Sequence, residues 1–369
     1  MSAGFSTIEL KLAEGVPFGS YAYISGELSA LYVKLLTSIA DHYSAAKSFL
    51  KELNRADEES RRIVLHDSLL RRTIEDGVCR VLQGIDTIDP TTFNELLSAA
   101  ENGLAAKRTL LSENGRCNRA LGYGHVWVED QHSDTLSGRR FREEVLKRLP
   151  GFHLDMPTPD QIEILTAGLR LAEKISPILA RSALSHNFLV VIGEFSNGLH
   201  INSLTVPGLP GVIFLSPKVL SSSAQASEAL FHESLHLKFL DIDYIHPLFA
   251  LGFRQESSPR VTPVWHSEKP ENGNWPIDRL LTSMHVYLAL AIFHAKAGAV
   301  GGEGVSPEDR AARASQCKFR ATWLFQSAQN YLESLSAAGK EFVASIGVML
   351  AEYEATIPSA LQVEHAGRS

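Results

Sequence analysis

Cysteine is scarce in this sequence and forms no recognisable motif. The 369 residues contain three cysteines, Cys79, Cys117 and Cys317, which are odd in number, widely spaced and without a CxxC pair. This usage argues against a disulfide framework and against a cysteine-based metal site, and it favours a reducing compartment. We therefore expect a cytoplasmic protein.

Long apolar runs and an excess of basic charge are also missing. The longest apolar runs, such as Val286–Phe293, fall far short of the ~20 residues that span a bilayer. The N-terminus has no basic segment followed by an apolar one, so we expect no secretory signal. Lysine and arginine total 35 against 42 for aspartate and glutamate, a net charge of −7, whereas nucleic-acid binders have a basic surface. We expect a globular protein that binds neither nucleic acid nor a membrane, and its acidic helical surfaces are compatible with a homodimer.

Helical patterning dominates what the sequence does contain. Apolar residues recur at three- and four-residue steps over about 20–115, which predicts several helices. Thr158 to Gln161 combine an N-cap, a proline and a capping-box glutamine, so a helix should follow, with Pro177 kinking it or ending a segment. Ser306 opens a later helix in the same way. The predicted fold class is mainly α with a small antiparallel β-sheet (α+β).

Three short runs with strand character supply the predicted sheet. They are Phe188–Gly193, Leu199–Val206 and Gly211–Leu215, and turn residues separate them. We expect an N-terminal helical region over 1–115 and a catalytic domain over 116–369, which alternatively form one continuous domain.

The most informative segment is the HExxH motif from His232 to His236, inside a predicted helix over about 224–240. Histidines four residues apart project from one helical face, so both imidazoles can bind a single metal ion. Glu233 is rotated by ~100° from His232 and can reach solvent or substrate beside the metal. Apolar residues flank the motif on both sides, and polar groups on a buried helix require partners. The sequence therefore predicts a metal site.

A catalytic metal site needs a third ligand and open positions. Glu256 follows His236 at a spacing known from zinc peptidases, but its surroundings do not resemble a helix. His246 lacks the glycine turn that precedes the third histidine in one group of such enzymes. His285 lies on an apolar helix where an unpaired imidazole would be costly. We predict His285 as the third ligand and keep Glu256 and His246 as alternatives.

Four segments around the motif occur in a recognisable order. They are the strand Leu209–Leu215, the motif helix Leu230–Lys238, a loop with Val264-Trp265 and Lys269-Pro270, and the later segment Ser283–Tyr287. With these segments, the stretch from Gly198 to His294 resembles the bacterial HExxH-motif peptide-modification proteins, which are 2-oxoglutarate-dependent HExxH-type hydroxylases. The resemblance covers about a quarter of the chain. His266 departs from it, because many members carry an arginine there.

This resemblance implies Fe(II) chemistry and not zinc hydrolysis. It implies an iron held by three protein ligands, with positions left for 2-oxoglutarate and O2. The expected product is an amino-acid residue, in a peptide or a related small molecule, that is hydroxylated at an unactivated carbon, and the β carbon is the expected position. The far carboxylate of 2-oxoglutarate needs a cationic partner. Arg279 is the first candidate, with Lys269 and Arg260 as alternatives.

Glu233 has a different role in each hypothesis. In the oxygenase it would hold a ligand imidazole in place or bind the iron itself. In a zinc-dependent metallopeptidase it would activate a zinc-bound water, and Glu256 or His285 would complete the site. A third hypothesis is a non-catalytic helical module that binds a peptide.

Overall fold

The computed structural model describes residues 2–111, 118–128, 135–196, 198–266, 273–300 and 306–356, and it is 69% helical. The predicted fold class, mainly α with a small β component, is confirmed. The helices are α1 (Ser2–Glu14), α2 (Tyr21–Ile39), α3 (Ser44–Arg55), α4 (Glu58–Leu65), α5 (Ser68–Gln83), α6 (Pro90–Ala105), α7 (Leu136–Arg148), α8 (Pro159–Ile175), α9 (Pro177–Leu184), α10 (Ser223–Ile245), α11 (Ile277–Val300), α12 (Pro307–Ala328) and α13 (Ala337–Thr356). The strands are β1 (Asn118–Ala120), β2 (His125–Trp127), β3 (Phe152–Asp155), β4 (Leu189–Phe195), β5 (Ser203–Thr205), β6 (Val212–Leu215), β7 (Arg260–Val261) and β8 (Trp275–Pro276).

The chain divides into two compact units that alternate along the sequence. We call Tyr21–Ala172 with Ala183–Asp241 the sheet unit. We call Met1–Ser20, Glu173–Ser182 and Ile242–Ser369 the helical unit. The division expected at residue 115 falls inside the sheet unit, so α2 to α6 belong to the same unit as the HExxH motif.

Pairings between distant residues hold the sheet unit together. Arg71 in α5 forms a buried ion pair with Asp241 in α10, 170 positions later in the chain. Glycine allows close approach at Gly168 in α8, where a Cβ atom would lie 2.9 Å from the Cβ of Ala226 in α10. Such contacts join α5 and α8 to α10, and no local sequence pattern predicts them.

The sheet unit contains a six-stranded mixed sheet. Its order is β1-β2-β4-β6-β5, with β3 also paired to β4. The inner neighbours β2, β4 and β6 run parallel, whereas β1, β3 and β5 pair antiparallel with β2, β4 and β6. All of β6 and the first five residues of β4 are buried, as is typical of parallel strands covered on both faces.

The three predicted strands correspond to β4, β5 and β6, but the predicted antiparallel order needs correction. β4 and β6 are parallel neighbours, and β5 lies beyond β6 at the edge of the sheet. Turn residues between short strands favour hairpins, which was the basis of the prediction. The continuous apolar runs of β4 and β6 are instead the pattern of buried parallel strands.

Capping patterns predicted two helix starts correctly. The Thr158 backbone N–H donates to Gln161 Oε1 (2.9 Å), and the Gln161 N–H donates to Thr158 Oγ1 (3.2 Å), which is a reciprocal capping box. Ser306 Oγ accepts from the backbone N–H of Asp309 (3.0 Å) at the start of α12. Pro177 separates two helices as expected, since α8 ends before it and α9 begins at it.

In the helical unit, α11 packs against α12, and α1 packs against α13. The segment Ile277–Gly298 of α11 has the length and composition of a membrane-spanning helix, but 78% of its most apolar window is buried inside the protein. This burial is what the core helix of a globular protein shows.

Candidate metal centre

The HExxH motif lies on α10, which starts at Ser223, one residue before the predicted start at 224. The backbone N–H of Gln225 donates to Ser222 Oγ (3.3 Å), and the helix continues to Ile245, beyond the predicted end at Leu240. Most of the motif segment is buried, including Phe231, Glu233, Ser234, Leu235 and Leu237. An apolar environment on several sides explains why this helix lacks a clear polar face.

His232 and His236 form a preorganised pair one helical turn apart. Their Nε2 atoms are 3.0 Å from each other, and their ring centroids are 4.9 Å apart. Burial lowers the pKa of His232 to about 4, so its imidazole is neutral near pH 7 and can offer a lone pair to a metal.

The distance between the two Nε2 atoms can be compared with the distance expected for two ligands of one metal ion. Two nitrogen ligands at ~2.1 Å from one ion lie ~3.0 Å apart when they subtend a right angle and ~3.4 Å apart in a tetrahedral site. The 3.0 Å between the Nε2 atoms of His232 and His236 therefore fits two ligands of one ion.

Glu233 points to the sheet and is held by strand β5. Its Oε1 accepts a hydrogen bond from Ser203 Oγ (2.7 Å), and the side chain of Thr205 donates a second one. The residue is only 4% exposed. Burial raises the pKa of Glu233 to about 7, against the opposing effect of the two hydroxyl donors. The prediction that the motif helix lies beside the sheet is confirmed by these contacts.

Strand β5 presents an open edge next to Glu233. The Ser216 N–H donates to Asn202 O (2.9 Å), so the pair 202/216 is hydrogen-bonded in the antiparallel ladder. Because hydrogen-bonded pairs alternate, the backbone N–H and C=O groups of Ser203 and Thr205 point away from β6. Within the described residues, β5 is the last strand on this side.

A cavity of about 180 Å³ lies at the carboxyl ends of β4 and β6. Asn202 and Leu204 line it, whereas Ser203 between them contacts Glu233. Since neighbouring residues of a strand point to opposite faces, the cavity lies on the other face of β5 from Glu233. It is therefore separate from the histidine pair.

A buried charge network anchors the later part of α10. Asp241 Oδ1 accepts from Arg71 Nη2 (2.9 Å), and its Oδ2 bonds to His186 Nδ1 (2.6 Å). Arg71 Nε in turn donates to Tyr32 Oη (3.0 Å). Burial by itself would raise the pKa of Asp241, but the Arg71 charge and the His186 hydrogen bond lower it to about 2. The carboxylate is therefore ionised near neutral pH and fixes α10 against α5.

The predicted third ligands all lie in the helical unit. His285 is buried on α11, with its ring centroid 5.9 Å from that of Phe342. Glu256 is exposed in a short 3₁₀ turn, and His246 follows the end of α10. Nowhere in the described part of the chain do three His, Cys, Asp or Glu side chains lie close enough to hold one ion. His285 as the third ligand stays a prediction.

The three predicted partners of 2-oxoglutarate have different surroundings. Lys269 lies outside the described residues. Arg260 donates to the backbone oxygens of Asn274 (3.4 Å) and Gln255 (3.2 Å), so it braces its own loop. Arg279 is exposed, with its guanidinium carbon 4.3 Å from the ring centroid of Trp275.

Arg279 belongs to a group that we call the arginine–tryptophan cluster. Its members come from the segment around β7 and β8 and from α11 and α12: Trp265, His266, Trp275, Arg279, Tyr287 and Arg320. The Trp265 ring lies edge-on to the rings of Trp275 (6.0 Å) and Tyr287 (6.2 Å). Arg320 was not predicted, since nothing in the sequence distinguishes it from the other polar residues of its helix.

The partners of Glu233 were not predicted from the sequence either. Ser203 and Thr205 alternate in a short strand, which places both hydroxyls on one face, but nothing local shows which helix they meet. Neither protein-family models nor curated proteins gave a match to this chain. The resemblance to the HExxH-type hydroxylases stays a prediction.

Proposed function

We propose that this protein is an Fe(II)- and 2-oxoglutarate-dependent oxygenase that hydroxylates an unactivated carbon of an amino-acid residue in a peptide or a related small molecule. The observation that carries the proposal is the 3.0 Å separation of the Nε2 atoms of His232 and His236. It suits two histidine ligands of one metal ion, and Fe(II) oxygenases bind their iron through two such histidines.

His232 and His236 would hold the iron, with His285 as the proposed third ligand. When bound, Fe(II) with 2-oxoglutarate and O2 supplies the oxidising power to break an unactivated C–H bond. The protein contributes the neutral imidazole of His232, a buried helix that fixes the spacing of the two histidines, and apolar neighbours such as Phe231 that exclude water.

The position of Glu233 supports an oxygenase, because its carboxylate bonds the motif helix to strand β5. Hydrogen bonds from Ser203 and Thr205 hold it against β5. A glutamate that is hydrogen-bonded to the sheet is not positioned as a general base, and an oxygenase reaction needs no general base because no water attacks. In such a reaction glutamine can replace glutamate, since its side-chain oxygen still accepts a hydrogen bond.

One observation favours a second candidate, a zinc metallopeptidase. The open edge of β5 lies beside Glu233, and an extended peptide can add to such an edge as a further strand. In that enzyme Glu233 would leave its hydroxyl partners and take a proton from a zinc-bound water.

The experiment compares the two metals on one preparation. Metal-free protein is loaded anaerobically with Fe(II) or with Zn(II), and consumption of 2-oxoglutarate and the masses of candidate peptides are measured after exposure to air with ascorbate. We expect the iron form to consume 2-oxoglutarate and to add one oxygen atom to a peptide without cleaving it.

Matched variants assign the activity to the site. His232→Ala and His236→Ala should lose bound metal, whereas His200→Ala, which changes an exposed histidine of the sheet unit, should keep it. Glu233→Gln should retain part of the oxygenase activity. Peptide fragments that form with zinc, without 2-oxoglutarate, and that disappear in Glu233→Gln would establish the peptidase instead.

A further inference from the structure

The cavity at the carboxyl ends of β4 and β6 has an aromatic floor. Phe152 contacts two other phenylalanines there, with its ring centroid 5.2 Å from that of Phe195 and 5.2 Å from that of Phe214. The rings of the two pairs are inclined by 72° and 84°, the edge-to-face arrangement that aromatic rings prefer. Leu204 on β5 adds an apolar wall. Phe152 and Phe214 are almost fully buried, so the floor is a fixed part of the protein core.

The size and the place of the cavity suit a small ligand. Its volume is about 180 Å³, and an apolar cavity of ~150 Å³ can hold one benzene molecule. The cavity therefore has room for a single aromatic ring or a branched aliphatic chain of similar size. In sheets with parallel strands, ligands bind in the crevice at the carboxyl ends of the strands, and β4 and β6 are parallel neighbours that end at this cavity.

The side chain of Glu194 points away from the cavity, although this residue lies at its edge. Glu194 follows Gly193 and precedes Phe195 on β4. Both of these neighbours face Phe152, because a Cβ atom on Gly193 would lie 2.7 Å from the Phe152 ring and Phe195 packs against the same ring. Neighbouring residues of a strand point to opposite faces. The Glu194 carboxylate is therefore on the other face, where burial and the Glu194 charge both raise the pKa of Asp155.

Polar groups that can bind an anion follow the strand ends at the mouth of the cavity. Lys218 comes shortly after β6, and its Nζ donates to His200 Nδ1 (3.4 Å). An ammonium group has three N–H donors, so Lys218 can keep this bond and bind an anion at the same time. Asn202 also lines the cavity, and its side-chain amide is a neutral donor. Lys218 and Asn202 are exposed, so a ligand that arrives from solvent can reach both.

We propose that this cavity binds a small carboxylic acid with one aromatic ring or a branched aliphatic body. The apolar body lies against Phe152, Phe214 and Leu204. The carboxylate accepts hydrogen bonds from Lys218 and Asn202. Burial of the body provides affinity because apolar surface leaves water, and the charge-assisted hydrogen bond from the ammonium group selects an anion. The cavity is separate from the histidine pair, so this proposal does not depend on a bound metal.

Ligand-observed NMR titrations of metal-free protein measure the Kd of four probes, which are phenylacetate, 4-methylpentanoate, phenylacetamide and acetate. The first two combine a carboxylate with an apolar body, whereas phenylacetamide lacks the charge and acetate lacks the body. We expect both acids to show saturable binding. The amide and acetate should bind about tenfold more weakly or worse, because each lacks one of the two interactions.

Matched variants assign the binding to the cavity. Lys218→Gln should raise the Kd of phenylacetate about tenfold, because it removes the charge-assisted hydrogen bond from an exposed position where folding is unaffected. Leu204→Ala should raise it about three- to tenfold, because it removes apolar contact with the body. Lys34→Gln changes an exposed lysine of α2 and should bind as wild type. His232→Ala should also bind as wild type, although it loses a predicted metal ligand.

The results separate this proposal from the proposed oxygenase. Binding of both acids that weakens in Lys218→Gln and in Leu204→Ala supports the proposal, whatever the activity of the iron form. Four results would overturn it: no saturable binding of either acid, equal binding of phenylacetamide, a Kd unchanged in both cavity variants with wild-type circular dichroism, or loss of binding in His232→Ala, which would place the ligand at the histidine pair.

Discussion

Replacement of Asp241 by asparagine should destabilise the protein strongly, because it removes the charge at the centre of a buried network. Asp241 is 3% exposed and Arg71 is 1% exposed, and the carboxylate accepts from Arg71 (2.9 Å) and bonds to His186 (2.6 Å). Asparagine keeps the volume and one oxygen, but it removes the charge that forms the ion pair with the buried Arg71 guanidinium.

Two estimates give the magnitude. Removal of one member of a buried ion pair costs about 3–5 kcal/mol in the free energy of unfolding. A shift in the pKa of Asp241 from 3.8 to about 2 corresponds to ~2.5 kcal/mol. We expect Asp241→Asn to lose about 2.5–5 kcal/mol at pH 7, a large part of the 5–15 kcal/mol typical of a folded domain.

The measurement is urea denaturation of metal-free protein followed by circular dichroism. Asp243→Asn is the matched control, because Asp243 accepts from the backbone N–H of Leu248 (2.9 Å) and asparagine can still accept there, so it should lose less than ~1 kcal/mol. The double variant Arg71→Met, Asp241→Asn should be more stable than the sum of the single losses, since no buried charge remains unpaired.

The pH dependence gives a further check. The pKa of Asp241 is lower in the folded than in the unfolded protein, so its contribution is complete above about pH 3.8 and is lost as the pH falls through about 2. The difference between wild type and Asp241→Asn should therefore be constant near neutrality and shrink below about pH 4. A loss under ~1 kcal/mol at pH 7 would refute this account of the network.

Two other substitutions test the packing. Gly339→Ala should lower the free energy of unfolding by about 2–3 kcal/mol, because a Cβ there would lie 1.9 Å from the backbone oxygen of Leu248. Gly298→Ala, in α11 with open space around it, should raise it by up to ~1 kcal/mol. Thermal denaturation compares the two variants, and equal effects would contradict the packing argument. Ser203→Ala should lose about 1–2 kcal/mol because it removes a hydrogen bond to the buried carboxylate of Glu233. Ser38→Ala, on an exposed helix face, should change little in the same urea assay, and a Ser203→Ala protein as stable as wild type would mean that this bond contributes nothing.

Features that span one or two helical turns could be predicted from the sequence. The capping box of Thr158 and Gln161, the N-cap at Ser306 and the facing pair of His232 and His236 each join residues three or four positions apart. Helix geometry alone fixes such distances. The helical fold class followed in the same way from the spacing of apolar residues.

Tertiary structure alone decided which distant residues meet. Glu233 is 30 positions from Ser203, and Arg71 is 170 positions from Asp241. The apolar runs of β4 and β6 suit buried parallel strands, but the sequence does not show that these two strands are neighbours and that β5 lies beyond them at the edge. The meeting of Arg320 with residues near β8 likewise depends on how whole helices pack, because the free energy of such contacts appears only when both partners are buried together.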